Sequence, residues 1–284
     1  LENVRRCHIT RVTAEFLRWS AILDFLSRQP LHDLRVTFAT LPAEIFFWLL
    51  STAPVISFWT VSFTEPIDYQ MLERRPHVSK VRNLALERYT KMVGEILLRP
   101  QFMDYTERLV RLTVVCAQNT SSRLIFATAG TLQHIGFDIQ GLYSLPATFL
   151  IPPLPALRSV EFFLYFSRLD THSDLILTVL DCSPLLADLT VSSTRTPMHD
   201  DELLIDAGLL NRLDTALVAH PAGPSIRWRL NLDLGGEDVE NRGRFVDFVE
   251  RVQRSMPQAH DKGRLLVEAF IRTHDHEYFF PKPH

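Results

Sequence analysis

The sequence predicts an α/β solenoid with a parallel β-sheet on its concave face and helices on its convex face. Three observations predict it. Short apolar stretches recur at a steady interval, a helix-patterned segment precedes several of them, and a proline or glycine separates the two. The stretch LHDLRVTF, residues 31–38, places Leu31, Leu34, Val36 and Phe38 at apolar positions, and LQHIGFDI repeats the pattern with Leu132, Ile135, Phe137 and Ile139.

The pattern apolar-x-x-apolar-x-apolar starts at Leu31, Val81, Leu109, Leu132, Leu157 and Leu186, with a degenerate copy at Val55, VISFWTVSF. The starts are spaced 24, 26, 28, 23, 25 and 29 residues apart. That interval is the period of leucine-rich repeats. One such match carries little weight, whereas seven in register carry a fold.

The helical halves read in order. AILDFLSRQP precedes Leu31, AEIFFWLLSTAP precedes Val55, SSRLIFATAG precedes Leu132 and SDLILTVLDCSP precedes Leu186. Each spaces apolar residues as one helix face does, for example Ile22, Phe25 and Leu26. Pro30, Pro54, Gly130 and Pro184 act as stops. Ser121 and Ser173 are expected at N-caps, with Thr171 competing for the second. A lone helix and strand cannot bury both apolar faces, so neighbouring units must stack.

Residues 20–195 read as regular repeats and residues 196–274 as longer, atypical capping units within one array spanning 1–284. SIRWRLNLDL alternates through Ile226, Trp228, Leu230, Leu232 and Leu234, and RLLVEAFI follows at 264–271. A helix capped by Asp200 is expected over 200–219, and another from about Asp238. The tail from 275 is expected to be loose. Polar residues 65–80 interrupt one connection, and the prolines at 146, 152, 153 and 155 predict a rigid loop over 141–156.

Composition narrows the function. With 30 basic and 33 acidic residues, the net charge is -3, and no basic footprint for nucleic acid is expected. The longest apolar run, FFWLLSTAPVISFW at 46–59, is broken by Ser51, Thr52 and Pro54 and reads as a helix end, a turn and a strand, not a membrane span. No secretory leader opens the chain, which begins in mid-pattern and reads as a piece lacking its N-terminal region. Cys7, Cys116 and Cys182 are few and far apart. They predict free thiols in a reducing cytoplasmic or nuclear setting, with Cys116 and Cys182 buried in apolar segments. The Asn119-Thr120-Ser121 sequon is a short match of the kind chance supplies.

No nucleophile elbow or phosphate-binding glycine loop is present, and glycine totals only ten. Gly235-Gly236 reads as a strand end, and His199-Asp200-Asp201-Glu202 as a helix start. His274-Asp275-His276-Glu277 lacks the partners of a metal site and reads as tail. No cofactor, no metal and no catalytic residue are therefore expected. An enzyme would have to place its site in the loops at 65–80 and 141–156.

Side chains that alternate with the buried ones should face outward on the concave sheet. They include His32, Asp33, Arg35 and Thr37, then Arg82, Asn83, Ala85 and Glu87, then Arg111, Thr113 and Val115. Further along come Gln133, His134 and Asp138, then Arg158, Glu161, Phe163 and Tyr165, and finally Arg227, Arg229, Asn231 and Asp233. Mixed charge with aromatics suits a protein or peptide ligand. The candidate binding residues are Arg35, Arg82, Arg111, His134, Glu161, Phe163, Tyr165, Arg227 and Arg229. Against this, the proline-rich loop could cover Phe163 and Tyr165, and Arg227 and Arg229 could pair with Glu161 or Asp233.

The units FLSRQPLHDLRVTF, LIFATAGTLQHIGFDI and LPALRSVEFFLYFSRLDTHSDLILTVLDCSPLLADLTV, with the closing FVDFVERVQRSMPQAHDKGRLLVEAF, resemble the leucine-rich repeat region of fungal F-box proteins, especially those of mushrooms. The resemblance covers about residues 1–274 and rests on period and texture. It implies the substrate-recognition arm of a Skp–cullin–F-box ubiquitin ligase. An F-box, the N-terminal helical motif that docks the Skp-type adaptor, is not found in this chain. The alternative is a repeat scaffold with no ubiquitin role.

Overall fold

A computed structural model describes residues 4–12, 19–64, 67, 79–116, 119–140, 149–193, 203, 205–232, 234, 239–272 and 277–279. The chain divides into two compact units, Leu1–Leu132 with Thr148–Leu150, and Gln133–Ala147 with Ile151–His284. Both are α/β, with parallel strands that neighbour each other in space as they do in sequence.

In the first unit the elements run β1 (Arg6–Thr10), α1 (Trp19–Ser27), β2 (Asp33–Leu41), α2 (Ala43–Leu50), β3 (Val55–Phe63), β4 (Asn83–Leu86), α3 (Lys91–Leu97), a 3-10 turn at Pro100–Tyr105, β5 (Arg111–Val115) and α4 (Asn119–Thr128). The register sets Leu34 beside Ile56, Ile56 beside Leu84 and Leu84 beside Leu112. Val36, Phe58, Leu86 and Val114 form the next row, and every member of both rows is buried. Each fully buried aliphatic side chain here stabilises the unit by about 1.5–3 kcal/mol.

Sequence explains the local order. Helix α2 is apolar on nearly all sides (AEIFFWLL) and is correspondingly buried. Pro42 precedes its first turn, where a missing N–H costs nothing. The Ser51 and Thr52 hydroxyls donate to the Trp48 and Leu49 carbonyls at 2.7 Å each, satisfying the helix end. Phe46 then packs on Phe58 and Phe63, with ring centroids 5.3 and 5.4 Å away.

The second unit runs β6 (His134–Asp138), β7 (Ser159–Leu164), α5 (Leu169–Cys182), β8 (Asp188–Ser193), α6 (Ala207–Ala219), β9 (Ser225–Asn231), α7 (Val239–Ser255), α8 (Pro257–Asp261), β10 (Leu265–Arg272) and β11 (Glu277–Phe279). Strands β6 to β10 are parallel, while β11 returns antiparallel against β10. Phe137, Phe162, Val191, Trp228 and Val267 form one buried row. Phe248 from α7 packs on Trp228, and both pack on Phe166. In α7, Phe245, Phe248 and Val252 are buried at helical spacing, while Arg242, Asp247, Glu250 and Arg254 are exposed. The buried Asp214 carboxylate accepts the Gln258 and Ala259 N–H groups at 3.1 and 2.8 Å, capping α8 from the neighbouring α6.

One backbone feature recurs at the start of the strands. The Arg5 carbonyl accepts two N–H groups, from His32 and Asp33, and the Pro54 carbonyl accepts those of Arg82 and Asn83. Arg82, Gln133 and Arg158 do the same for Val110 and Arg111, Arg158 and Ser159, and Ala187 and Asp188. The sequence repeat is therefore also a repeat of hydrogen-bond geometry.

Several expectations shift. Helices α4 and α5 begin at Asn119 and Leu169, so Ser121 and Ser173 lie inside them. The Ser121 hydroxyl donates to the Val115 carbonyl and that of Ser173 to the Asp170 carbonyl, so neither accepts as a cap. The cap of α6 is Asp206, which accepts the Leu209 N–H at 2.8 Å, while Asp200 lies outside the described residues. Part of the tail is ordered as β11. His199, Asp201, Glu202, Asp233, Gly235, Gly236 and His274–His276 lie outside the described residues, as do most of 65–80 and residues 141–148.

Phe38 is the sharpest departure. It ends the apolar motif of β2 yet is 48% exposed, because its backbone is left-handed at φ 51. Thr60 stands at the same rung of β3, at φ 54, between the pairs Thr37–Trp59 and Ala39–Val61. Arg11 and Tyr89, after β1 and β4, also have φ of 54 and 56. At each kinked strand the alternation skips one residue, so Leu34 and Val36 are followed inward by Ala39 and Leu41.

Candidate functional site

In each unit, side chains of chemical interest collect on the sheet face turned away from the buried rows, and the two units differ in what they place there. In the first unit the outward rows run Arg6–Asp33, His8–Arg35–Ser57–Ala85–Thr113 and Thr10–Thr37–Trp59. Arg35 is half-buried, with its guanidinium carbon 5.8 Å from the centre of the Trp59 ring. The Phe38 ring packs on the other residue of that cluster, 5.3 Å from Trp59. Among the described residues Arg35 makes no ion pair, and its buried Nε has no hydrogen-bond partner. Arg82 and Arg111 are exposed at the strand starts. Thr37 keeps its outward register but is buried, because its hydroxyl is held by His8 Nε2 and Thr10 Oγ1, each 2.9 Å away on β1.

In the second unit the rows run His134–Ser159–Asp188–Ser225, Glu161–Thr190–Arg227–Leu266 and Asp138–Phe163–Ser192–Arg229–Glu268. Both arginines on the rows of this face pair with carboxylates. Arg229 Nη1 donates to Glu161 Oε1 at 2.9 Å, and the Ser192 hydroxyl donates to the same oxygen at 3.0 Å. Arg229 is 6% exposed and lies 4.6 Å from the centre of the Phe270 ring. Exposed Arg227 reaches Glu268 at 3.8 Å. Phe163 and Tyr165 are half-buried, with the Arg168 guanidinium carbon 6.0 Å from the Tyr165 ring centre. His134 is half-buried on the first row.

The sequence-derived candidates thus split. Glu161 and Arg229 form one partnered cluster, joined along the row by Phe163. Arg35 sits in the other unit with Trp59 and Phe38, which sequence reasoning did not single out. The signal for Trp59 lay in the degenerate motif VISFWTVSF, whose alternate positions are Val55, Ser57 and Trp59. Nothing in the sequence marks the kink at Phe38, since neither it nor Thr60 is a residue that favours positive φ.

Of the thiols, only Cys116 is buried; Cys182, expected to be buried, is half-buried at the end of α5. Burial raises the Cys182 thiol above its ordinary pKa, with nearby Asp181 adding to the shift, and burial alone raises Cys7. Tyr105 is raised by burial and then by Asp104. Among the described residues, no group of three His, Cys, Asp or Glu side chains is placed to hold a metal ion, and no helix is long and apolar enough to cross a membrane. No model of a known protein family matches the chain, and no curated protein matches it.

Proposed function

We propose that the chain is a leucine-rich repeat recognition module that binds a protein or peptide on the helix-free face of its strands. The observation that carries this reading is the carbonyl that recurs at five strand starts, Arg5, Pro54, Arg82, Gln133 and Arg158, each taking two N–H groups from the next strand. Such a scaffold presents rows of interchangeable side chains at fixed spacing, the arrangement that repeat proteins use for extended binding surfaces. We further propose, on the F-box resemblance, that the module selects substrates for a Skp–cullin–F-box ubiquitin ligase and works without chemistry of its own, in the cytoplasm or nucleus.

Affinity purification of the full gene product with mass spectrometry tests both halves. Recovery of a Skp-type adaptor and a cullin supports the ligase role. Recovery of other proteins without them removes ubiquitin from the account and leaves a repeat scaffold. Recovery of no protein partner at all overturns the recognition reading.

A further inference from the structure

The face of the first unit has an excess of positive charge, held in no ion pair among the described residues, and carries exposed aromatic surface. Arg6, Arg11, Arg35, Arg88 and Arg111 stand on or beside its outward rows, against Asp33 and Glu87. None of these five arginines is in an ion pair among the described residues, whereas the arginines on the rows of the second unit's face, Arg227 and Arg229, both are. The left-handed backbone at Phe38 turns a large ring out of the core and sets it against Trp59. Arg88 accepts at its carbonyl the Thr60 N–H at 2.7 Å, which brings it and the 75% exposed Tyr89 to the same end of the face.

From this placement we infer that Arg35, Trp59 and Phe38 form the docking point for an acidic peptide segment that carries an aromatic residue beside a carboxylate. The inference rests on the recognition reading above and narrows it to one unit and one ligand chemistry. A carboxylate meets the half-buried guanidinium of Arg35, which is in no ion pair among the described residues and which a planar acid fits in two-pronged fashion. The neighbouring ring lies on Phe38 and Trp59, in the offset or edge-on geometry aromatic pairs adopt. Buried arginine and tryptophan are the residue types that dominate binding energy at protein interfaces. Asp33 and Glu87 on the same face oppose a continuous phosphate backbone, which favours a peptide over a nucleic acid.

The test uses the whole chain and three probes: a random Glu–Tyr copolymer, poly-Glu of equal length, and an oligo-dT strand. Binding is read by fluorescence anisotropy of the labelled probe. The copolymer is expected to bind at least tenfold tighter than poly-Glu or oligo-dT. Arg35→Gln and Phe38→Ser are each expected to weaken copolymer binding at least tenfold, with circular dichroism unchanged because neither side chain is in the core. Arg227→Gln, on the second unit's face, is expected to change it less than twofold. Equal binding by the variants and the unchanged chain, loss with Arg227→Gln, or tighter binding of oligo-dT overturns the inference. Repeating the affinity purification with Arg35→Gln separates the two levels. Protein partners retained by the variant sink the docking point and leave recognition standing, whereas no partner for the unchanged chain sinks recognition itself.

Discussion

Phe38 and Ile139 close the same apolar motif in two repeats, one in each unit, and end in opposite surroundings. Ile139 is 1% exposed and its N–H donates to the Phe163 carbonyl at 2.9 Å. Phe38 is 48% exposed, turned outward by a left-handed backbone that β2 shares with β3 at the same rung. The motif dictates which side chains are buried only while the strand stays extended. Where the strand kinks, the last apolar residue is released to the surface, and an element of the core becomes an element of the open face.

Substitution at the two positions should separate them most. Ile139→Ala is expected to cost about 2–4 kcal/mol in urea unfolding, since it opens a cavity in a packed row. Phe38→Ala should cost under about 1 kcal/mol, as it strips a half-exposed ring from the surface. Comparable losses at both sites would mean that Phe38 is a core residue after all. The polar layers of the two faces give the next contrast. Glu161→Ala removes the 2.9 Å partner of a buried arginine and should cost roughly 2–3 kcal/mol, while Arg35→Ala, which breaks no ion pair, should stay near zero. Thermal melts of the two variants would expose a hidden partner for Arg35 if it too proved destabilised.

Smaller effects sharpen the account of the kink itself. Thr60→Gly is expected to raise stability by up to about 1 kcal/mol, because glycine takes φ 54 without the strain a β-branched residue suffers. A loss would show that the Thr60 side chain contributes more than its backbone costs. The thiols give the finest reading. With their pKa values raised, Cys7 and Cys182 hold their protons at pH values where a free cysteine has begun to ionise. Both should react with a disulfide reagent more slowly than free cysteine at pH 8, and Cys116 should react only on unfolding. The same sign makes the native state lose stability as pH rises above the ordinary thiol range, which a urea midpoint measured from pH 7 to 10 would follow.

The strands were legible because period and alternation survive substitution of one apolar residue by another. Leu34, Ile56, Leu84 and Leu112 differ in type yet fall in one row. Strand β1 was missed although Val4, Cys7 and Ile9 keep the spacing and Cys7 pairs with Leu34. Helix starts were the weakest inference. Ser121 and Ser173 suit a cap by type, but a serine inside a helix can return its proton to a nearby carbonyl, and both do. For the face, alternation put Glu161, Arg229 and Arg35 on rows opposite the buried ones, although Arg229 is itself buried. It could not say that the first two neutralise each other across 68 residues, because that pairing depends on which strands become neighbours.

Neighbour order has a kinetic consequence. Every parallel pairing within a unit joins strands that follow each other along the chain, such as Ile135 with Val160 and Val160 with Leu189. Each ladder therefore forms after closing a loop of only one repeat, and the contact order stays low for so large a sheet. Zippering can begin at any repeat and spread to the next, and each unit should unravel from its outermost strand inward instead of all at once.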